Sequence, residues 1–139
     1  MTDEELMKEA VRARRMAYAP YSRFMVGAAL ITKDKKLYTG CNIENAAYGP
    51  SNCAERTAFF SAVKEGERDF EAIAIAGGME GTPEDELSTC TPCGVCRQVM
   101  REFCSDSFRI IVADKEKGVR AYLLSELLPE SFGPDDLDA

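Results

Sequence analysis

Three cysteines in this sequence are placed where they could bind one metal ion together. Cys93 and Cys96 stand three residues apart in "PCGVC", at a predicted helix start, so their sulfurs share one face of that helix. Cys53 opens a second predicted helix in "NCAER". Free amides and the positive dipole end of a helix N-terminus stabilise thiolates. Three thiolates aimed by two helices could converge on one zinc ion.

The residues that follow Cys53 offer further groups to such a site. Three protein ligands leave the fourth tetrahedral position of zinc open to water, as in catalytic zinc centres. Glu55 could act on that water, and Arg56 could hydrogen-bond the sulfurs. Two structural alternatives stay open at this point. Glu55 also stands three residues after Asn52, as in a capping box, and Arg56 by itself is typical of a solvated surface charge.

The chain contains six cysteines and no histidine, so only thiolates and carboxylates could hold a metal. Cys90 lies three residues before Cys93 and could close the site as a fourth sulfur ligand. Cys41 and Cys104 are interpreted as packing residues in a strand and a helix, because free cysteine usually behaves as a small hydrophobe. The C-x-x-C pair is also compatible with a redox dithiol or a structural zinc module.

Composition predicts one globular domain over residues 1–139. The chain is 45% hydrophobic and 29% charged. A net charge of −7 and a pI near 4.7 disfavour binding to nucleic acid or to anionic membranes. The acidic N-terminus lacks a signal segment, and no apolar run approaches the roughly 18–20 residues that span a bilayer. A cytoplasmic location is therefore expected.

Apolar periodicity predicts the elements that must position these residues. Helices are predicted over 2–18, 53–65 and 93–104, and strands over 24–32, 36–43, 70–77, 108–114 and 119–124. Thr2 and Glu5 form a predicted capping box, and the polar segment 77–91 is predicted to be a surface loop. Two hairpins and a strand–helix–strand unit over 70–113 favour an α/β domain with a mixed sheet.

Several motifs taken together resemble the zinc-dependent cytidine deaminases. "CAE" at 53–55 and "PCGVCRQ" at 92–98 match the signature of that superfamily. "PYSRFMVGAAL" at 20–30, "GCNIENAAYG" at 40–49 and "LLPESFG" at 127–133 match the family's pattern in the same order. The resemblance implies an α/β fold, a three-layer α/β/α sandwich with a mixed five-stranded sheet. The loop before "PCGVC" is longer than the family's pattern.

The resemblance also implies a reaction and its machinery. Cys53, Cys93 and Cys96 match the ligands of one Zn²⁺ per subunit, and Glu55 matches the catalytic proton shuttle. Arg56 matches an arginine that hydrogen-bonds the cysteine ligands. The implied reaction is the hydrolytic deamination of cytidine or deoxycytidine to uridine or deoxyuridine plus ammonia, a step of pyrimidine salvage.

The substrate contacts carry over in the same way. Phe24 matches an aromatic that packs on the pyrimidine, and the backbone of Ala54 matches a contact to the base edge. Asn42 and Glu44 match residues that hydrogen-bond the ribose 3′-hydroxyl. The structural alternatives are a core position for Phe24 and turn or strand-end positions for Asn42 and Glu44. A free nucleoside is the implied substrate, because no Arg/Lys cluster accompanies these residues to hold a phosphate.

The assembly implied by the resemblance is a homotetramer whose subunits complete one another's pockets. Tyr48 and Phe132 match positions at or near a subunit boundary, although they could also pack within one subunit. Three other functions stay open on the sequence. They are a deaminase of a cytosine-nucleoside antibiotic, a non-catalytic zinc module closed by Cys90, and a thiol oxidoreductase built on Cys93 and Cys96.

Overall fold

A single sheet with helices on both faces forms the frame of the computed structural model, which describes residues 1–137. The strands are β1 (Phe24–Thr32), β2 (Leu37–Cys41), β3 (Phe70–Met79), β4 (Arg109–Asp114) and β5 (Gly118–Leu123). The helices are α1 (Asp3–Arg14), α2 (Ala54–Lys64), α3 (Gly94–Phe103) and the short α4 (Leu124–Leu127). No helix in the described part of the chain is long and apolar enough to cross a membrane.

The strand order in the sheet is β2-β1-β3-β4-β5. Strand β1 pairs antiparallel with β2 and with β3, and β4 pairs antiparallel with β5. Strands β3 and β4 are parallel and are joined through α3. The predicted mixed five-stranded sheet, with its two hairpins, is therefore confirmed.

The two faces of the sheet are both apolar, which explains the three layers. Along β1, Ala28 and Leu30 are fully buried in the core that contains α2 and α3. Ala29 and Ile31 alternate with them and lie in a second core, packed against α1. Because neighbouring side chains of a strand point to opposite faces, one continuous apolar strand serves both cores.

Glycines let the helices approach the sheet closely at two points. A Cβ at Gly27 would lie 2.1 Å from the carbonyl oxygen of Ala10 in α1. A Cβ at Gly40 in β2 would lie 2.5 Å from the carbonyl oxygen of Ala54, at the start of α2. A larger residue at either position would force the backbones apart, so Gly40 fixes where the first turn of α2 rests.

Some element ends differ from the sequence prediction, and tertiary pairing explains the differences. Helix α1 ends at Arg14 rather than at residue 18, because the Tyr18 amide instead donates to the carbonyl of Asn42 at 2.9 Å. Strand β2 ends at Cys41 rather than at 43, since Ile43 forms isolated bridges with Tyr18 and Asn52. Strand β3 continues beyond 77 to Met79, which pairs with Phe24.

Candidate active site

The N-termini of α2 and α3 bring the three predicted cysteine ligands together. Cys53 and Cys93 are the N-cap residues of these helices, and Cys96 is buried on the first turn of α3. The three Sγ atoms all lie within 4.8 Å of one another, with Cys53 to Cys93 at 3.9 Å and Cys93 to Cys96 at 3.5 Å. Sulfurs bound tetrahedrally to zinc at about 2.3 Å would be about 3.8 Å apart. The sulfur cluster therefore fits zinc.

The sulfur cluster lies in an environment that favours thiolate at Cys53. Hydrogen bonds from the Cys96 thiol and from Arg56 hold the pKa of Cys53 well below its ordinary value, although burial opposes them. The Arg56 Nη2 donates to the Cys53 Sγ at 3.2 Å, and this contact raises the pKa of the guanidinium. Arg56 is thus a hydrogen-bond partner of a sulfur rather than a solvated surface charge.

Glu55 is buried beside the sulfurs, with 5% of its surface exposed. Burial raises the pKa of this carboxyl to about 7. The alternative role as a capping box with Asn52 is wrong, because the Asn52 amide donates to the carbonyl of Ile43 at 2.9 Å and helix α2 has no side-chain cap. A carboxyl with this pKa can both accept and release a proton near neutral pH.

Cys90 is not part of the sulfur cluster, which contains three cysteines within the described residues. Cys90 lines the neighbouring cavity, and burial raises the pKa of its thiol to about 11. Burial also raises the pKa of Cys41 and of Cys104, and Cys104 packs against the core as predicted. The site thus has three sulfur ligands and no fourth from Cys90, which is the ligand count of an open catalytic zinc centre.

A cavity of about 640 Å³ opens beside the sulfurs, and its size suits a small organic ligand. Most of the predicted site residues line it: Phe24, Asn42, Glu44, Tyr48, Cys53, Ala54, Glu55, Arg56 and Cys93. Phe132 does not line this cavity. Its side chain is 60% exposed, and its carbonyl accepts a hydrogen bond from Gln98.

Asn42 joins the cavity wall to β1 through its side chain. Its Oδ1 accepts from the Val26 amide at 2.8 Å, and its Nδ2 donates to the Phe24 carbonyl at 2.8 Å. These two bonds fix the orientation of the amide, and one donor and one acceptor position stay available to a ligand.

Glu44 is held in place by hydrogen bonds from the loop that precedes β1. Its Oε1 accepts from the amides of Tyr21 at 3.0 Å and Ser22 at 3.1 Å, and its Oε2 accepts from the Ser22 hydroxyl. These bonds, chiefly those from Ser22, hold the pKa of Glu44 below its ordinary value. The carboxylate is therefore an oriented, ionised acceptor at the mouth of the cavity.

The aromatic residues of the cavity are exposed rather than buried. Phe24 is 39% exposed at the start of β1, so its alternative assignment to the core is wrong. Tyr48 is 72% exposed, has a φ of 61°, and meets Tyr21 edge to face at 6.1 Å between ring centroids. Ala54 is fully buried at the start of α2 and is among the residues that line the cavity.

Several cavity residues were not identified from the sequence. They are Ser22, Val26, Gly49, Ser51, Asn52, Thr91 and Val95. Ser22 belongs to the quoted motif "PYSRF", so its place in that motif was the available signal. A lone serine or threonine in a loop is otherwise ordinary turn chemistry.

Comparisons with known proteins agree with this geometry. Residues 1–112 match the family model described as the cytidine and deoxycytidylate deaminase zinc-binding region. The cytidine deaminase of Sporosarcina psychrophila is 45% identical over 137 residues, which cover 99% of this chain and 96% of that protein. The cytidine deaminase of Halalkalibacterium halodurans is 46% identical over 138 residues and 99% of both chains.

Solved structures give the same result. The crystal structure of cytidine deaminase from Burkholderia pseudomallei superposes with a TM-score of 0.83 at 46% identity, covering 95% of this chain and all of that one. The cytidine deaminase of Mycobacterium tuberculosis superposes with a TM-score of 0.80 at 35% identity, covering 96% of this chain and 98% of that one.

Proposed function

Because this chain belongs to the zinc-dependent cytidine deaminase family, we propose that it hydrolyses cytidine and deoxycytidine to uridine and deoxyuridine with release of ammonia. The observation that carries this function is a buried carboxyl, Glu55, beside a three-sulfur cluster at the wall of a nucleoside-sized cavity. Such a site joins a metal centre with an open position to a group that moves protons.

The metal cofactor is zinc, and Cys53, Cys93 and Cys96 are the residues that would hold it, one ion per subunit. When bound, zinc would act as a Lewis acid and lower the pKa of a water at its open position toward ~7. Arg56 donates to a ligand sulfur and withdraws charge from it. Since three thiolates would otherwise give the site a net negative charge, this contact preserves the acidity of the water.

Glu55 carries the protons of the reaction. Its carboxylate takes a proton from the attacking water and delivers it to N3 of the pyrimidine as the water oxygen adds to C4. Glu55 then takes the remaining proton of that oxygen and gives it to the amino group. The C4–N bond breaks, ammonia leaves and C4 becomes a carbonyl. A pKa near 7 suits a group that must accept and donate in turn.

Other residues that line the cavity bind the substrate in this proposal. Phe24 packs on the pyrimidine, and the backbone of Ala54 contacts the base edge. In the proposed complex, Asn42 donates a hydrogen bond to the ribose 3′-hydroxyl, and Glu44 accepts a hydrogen bond from that hydroxyl. All four residues line the same cavity as Cys53 and Glu55, which supports this assignment. Within the described lining, Arg56 is the single basic side chain and it already contacts a sulfur, which favours a free nucleoside over a nucleotide.

The functional unit is proposed to be a homotetramer of single-domain subunits, each spanning residues 1–139, in the cytoplasm. Tyr48 and Phe132 are large aromatic side chains that are 72% and 60% exposed in one subunit. Burial of such residues against a neighbouring subunit would remove apolar surface from water and close the pocket. Light scattering coupled to size-exclusion chromatography tests the subunit number directly.

The activity is tested by incubating the purified protein with cytidine and following the fall in ultraviolet absorbance together with ammonia release. Chelator-treated protein should be inactive and should regain activity when Zn²⁺ is added back. Deoxycytidine and a cytosine-nucleoside antibiotic, assayed in parallel, separate the proposed substrate class from the antibiotic alternative. Zinc-loaded protein that releases no ammonia from cytidine would contradict the proposal.

A further inference from the structure

We propose that Ser22 is a positioning residue for the nucleoside, because its hydroxyl ties the carboxylate of Glu44 to the strand that presents Phe24. The inference rests on the proposed function, in which Glu44 binds the sugar and Phe24 packs on the base. Ser22 itself need not touch the substrate. Its effect is to hold two substrate-binding groups at a fixed distance from each other.

The contacts of Ser22 define this role. Its hydroxyl donates to Oε2 of Glu44 and accepts from the amide of Phe24 at 3.0 Å. Its own amide donates to Oε1 of Glu44 at 3.1 Å. A serine or threonine hydroxyl can donate and accept at once through one short side chain, which suits it to link a carboxylate to a backbone amide.

The loop that carries Ser22 is fixed by contacts outside the cavity. Arg23 has a φ of 62°, in the left-handed region that non-glycine residues rarely adopt. Its amide donates to the carbonyl of Ala19 at 2.9 Å, and its carbonyl accepts from the amide of Glu80 at 2.6 Å. The position of Ser22 is thus set before a substrate arrives.

The backbone and the side chain of Glu44 are held by different residues. Its amide donates to the carbonyl of Tyr18 at 2.8 Å, while the carboxylate is held by Tyr21 and Ser22. Removing the Ser22 hydroxyl should therefore leave the backbone of Glu44 in place and loosen its side chain, which would keep only the two amide donors to Oε1. A carboxylate that samples several rotamers must be ordered by the substrate, which weakens binding.

The test compares Ser22→Ala with Ser22→Thr, and Ser105→Ala is the control because Ser105 lies on the surface and its hydroxyl contacts Ser107. A hydrogen bond to a charged group is worth roughly tenfold or more in affinity, and Glu44 keeps two amide donors. Ser22→Ala should raise KM for cytidine about tenfold with kcat nearly unchanged. Ser22→Thr should restore most of the loss, and Ser105→Ala should have no effect.

A sugar analogue distinguishes positioning of Glu44 from general disruption of the loop. With 3′-deoxycytidine, which lacks the hydroxyl that Glu44 is proposed to bind, Ser22→Ala should change KM much less than with cytidine. Equal losses on both nucleosides, or a fall in kcat with KM unchanged, would overturn the proposal.

A direct titration separates this inference from the proposed function. The carboxyl ¹³C shift of Glu44 reports its pKa, which should lie below its ordinary value in the parent protein and rise in Ser22→Ala. The other titratable side chains in the cavities that Glu44 shares are Tyr21, Tyr48, Glu55, Arg56 and the cavity cysteines. An unchanged pKa would refute the role of Ser22 even if the protein failed to act on cytidine. Inactivity of the parent protein on cytidine would refute the proposed function alone.

Discussion

The two sides of the cavity are built in different ways. On the metal side, the groups lie on the first turns of α2 and α3, and Glu55 and Cys96 are buried. On the sugar side, where the residues proposed to bind the nucleoside lie, Glu44 and Tyr48 stand on irregular chain. Three hydrogen bonds from Tyr21 and Ser22 orient the half-buried Glu44, whereas the exposed Tyr48 has one aromatic contact. The groups proposed for the chemistry thus lie on a packed core, and the groups proposed to bind the sugar lie on loops.

This contrast predicts different kinds of failure. A change on the metal side should abolish turnover, because a metal ligand or a proton carrier has no substitute nearby. A change on the sugar side should weaken binding by a moderate factor, since several contacts share the task.

The largest loss is expected for Cys93→Ala. This substitution removes one of three sulfurs and should reduce zinc from one ion per subunit toward none, with activity falling to background. Cys93 is the exposed member of the cluster, so the fold should survive, unlike the result of replacing the buried Cys96. Metal analysis and circular dichroism measure the two effects. Full zinc content in Cys93→Ala would contradict the ligand set.

Glu55→Gln should reduce activity somewhat less than Cys93→Ala does, and it should separate proton transfer from metal binding. The amide keeps the size of the buried side chain but cannot carry a proton, so kcat should fall by at least about 10²–10⁴-fold. Zinc content should stay at one ion per subunit, because Glu55 is not part of the sulfur cluster. Turnover close to that of the parent protein would show that Glu55 is not the proton carrier.

The metal side could largely be predicted from the sequence, because its residues are local to two helix starts. "NCAER" and "PCGVC" encode both the ligands and the turns that aim them. The sheet was predictable for a related reason. Its strands are short apolar runs bounded by charged or glycine turns, so the strands and the two hairpins could be predicted, whereas the strand order was not.

The sugar side was less predictable, because its geometry depends on contacts between distant segments. Tyr18 lies outside helix α1, and its amide donates a hydrogen bond to the carbonyl of Asn42. The hydroxyl of Ser22 donates to the carboxylate of Glu44, 22 residues away. No local pattern encodes such contacts. The role proposed for Phe132 is also hard to predict from the sequence of one chain, since it involves a second subunit.

Phe132→Ala tests whether the exposed aromatic surface serves assembly. We expect a moderate effect, with a lower average mass in light scattering at low protein concentration and a rise of about tenfold in KM. Leu37→Ala is the control, because Leu37 is an apolar residue of the edge strand β2, is 37% exposed and does not line the cavity. If mass and KM both stay unchanged in Phe132→Ala, Phe132 does not complete a neighbour's pocket.

Cys90→Ser should have the smallest effect on activity, and it tests whether Cys90 belongs to the metal side or to the sugar side of the cavity. Cys90 lines the cavity but lies outside the sulfur cluster, so the variant should keep one zinc ion per subunit and change kcat/KM by no more than several-fold. Cys96→Ser is the matched control and should lose zinc. Cobalt-substituted protein provides a second readout, since its charge-transfer bands report the number of thiolate ligands. Bands for three thiolates in both the parent protein and Cys90→Ser would show that Cys90 is a cavity residue and not a ligand. Loss of one thiolate band in Cys90→Ser would instead identify Cys90 as a fourth ligand. A fourth ligand would close the coordination position that the chemistry requires.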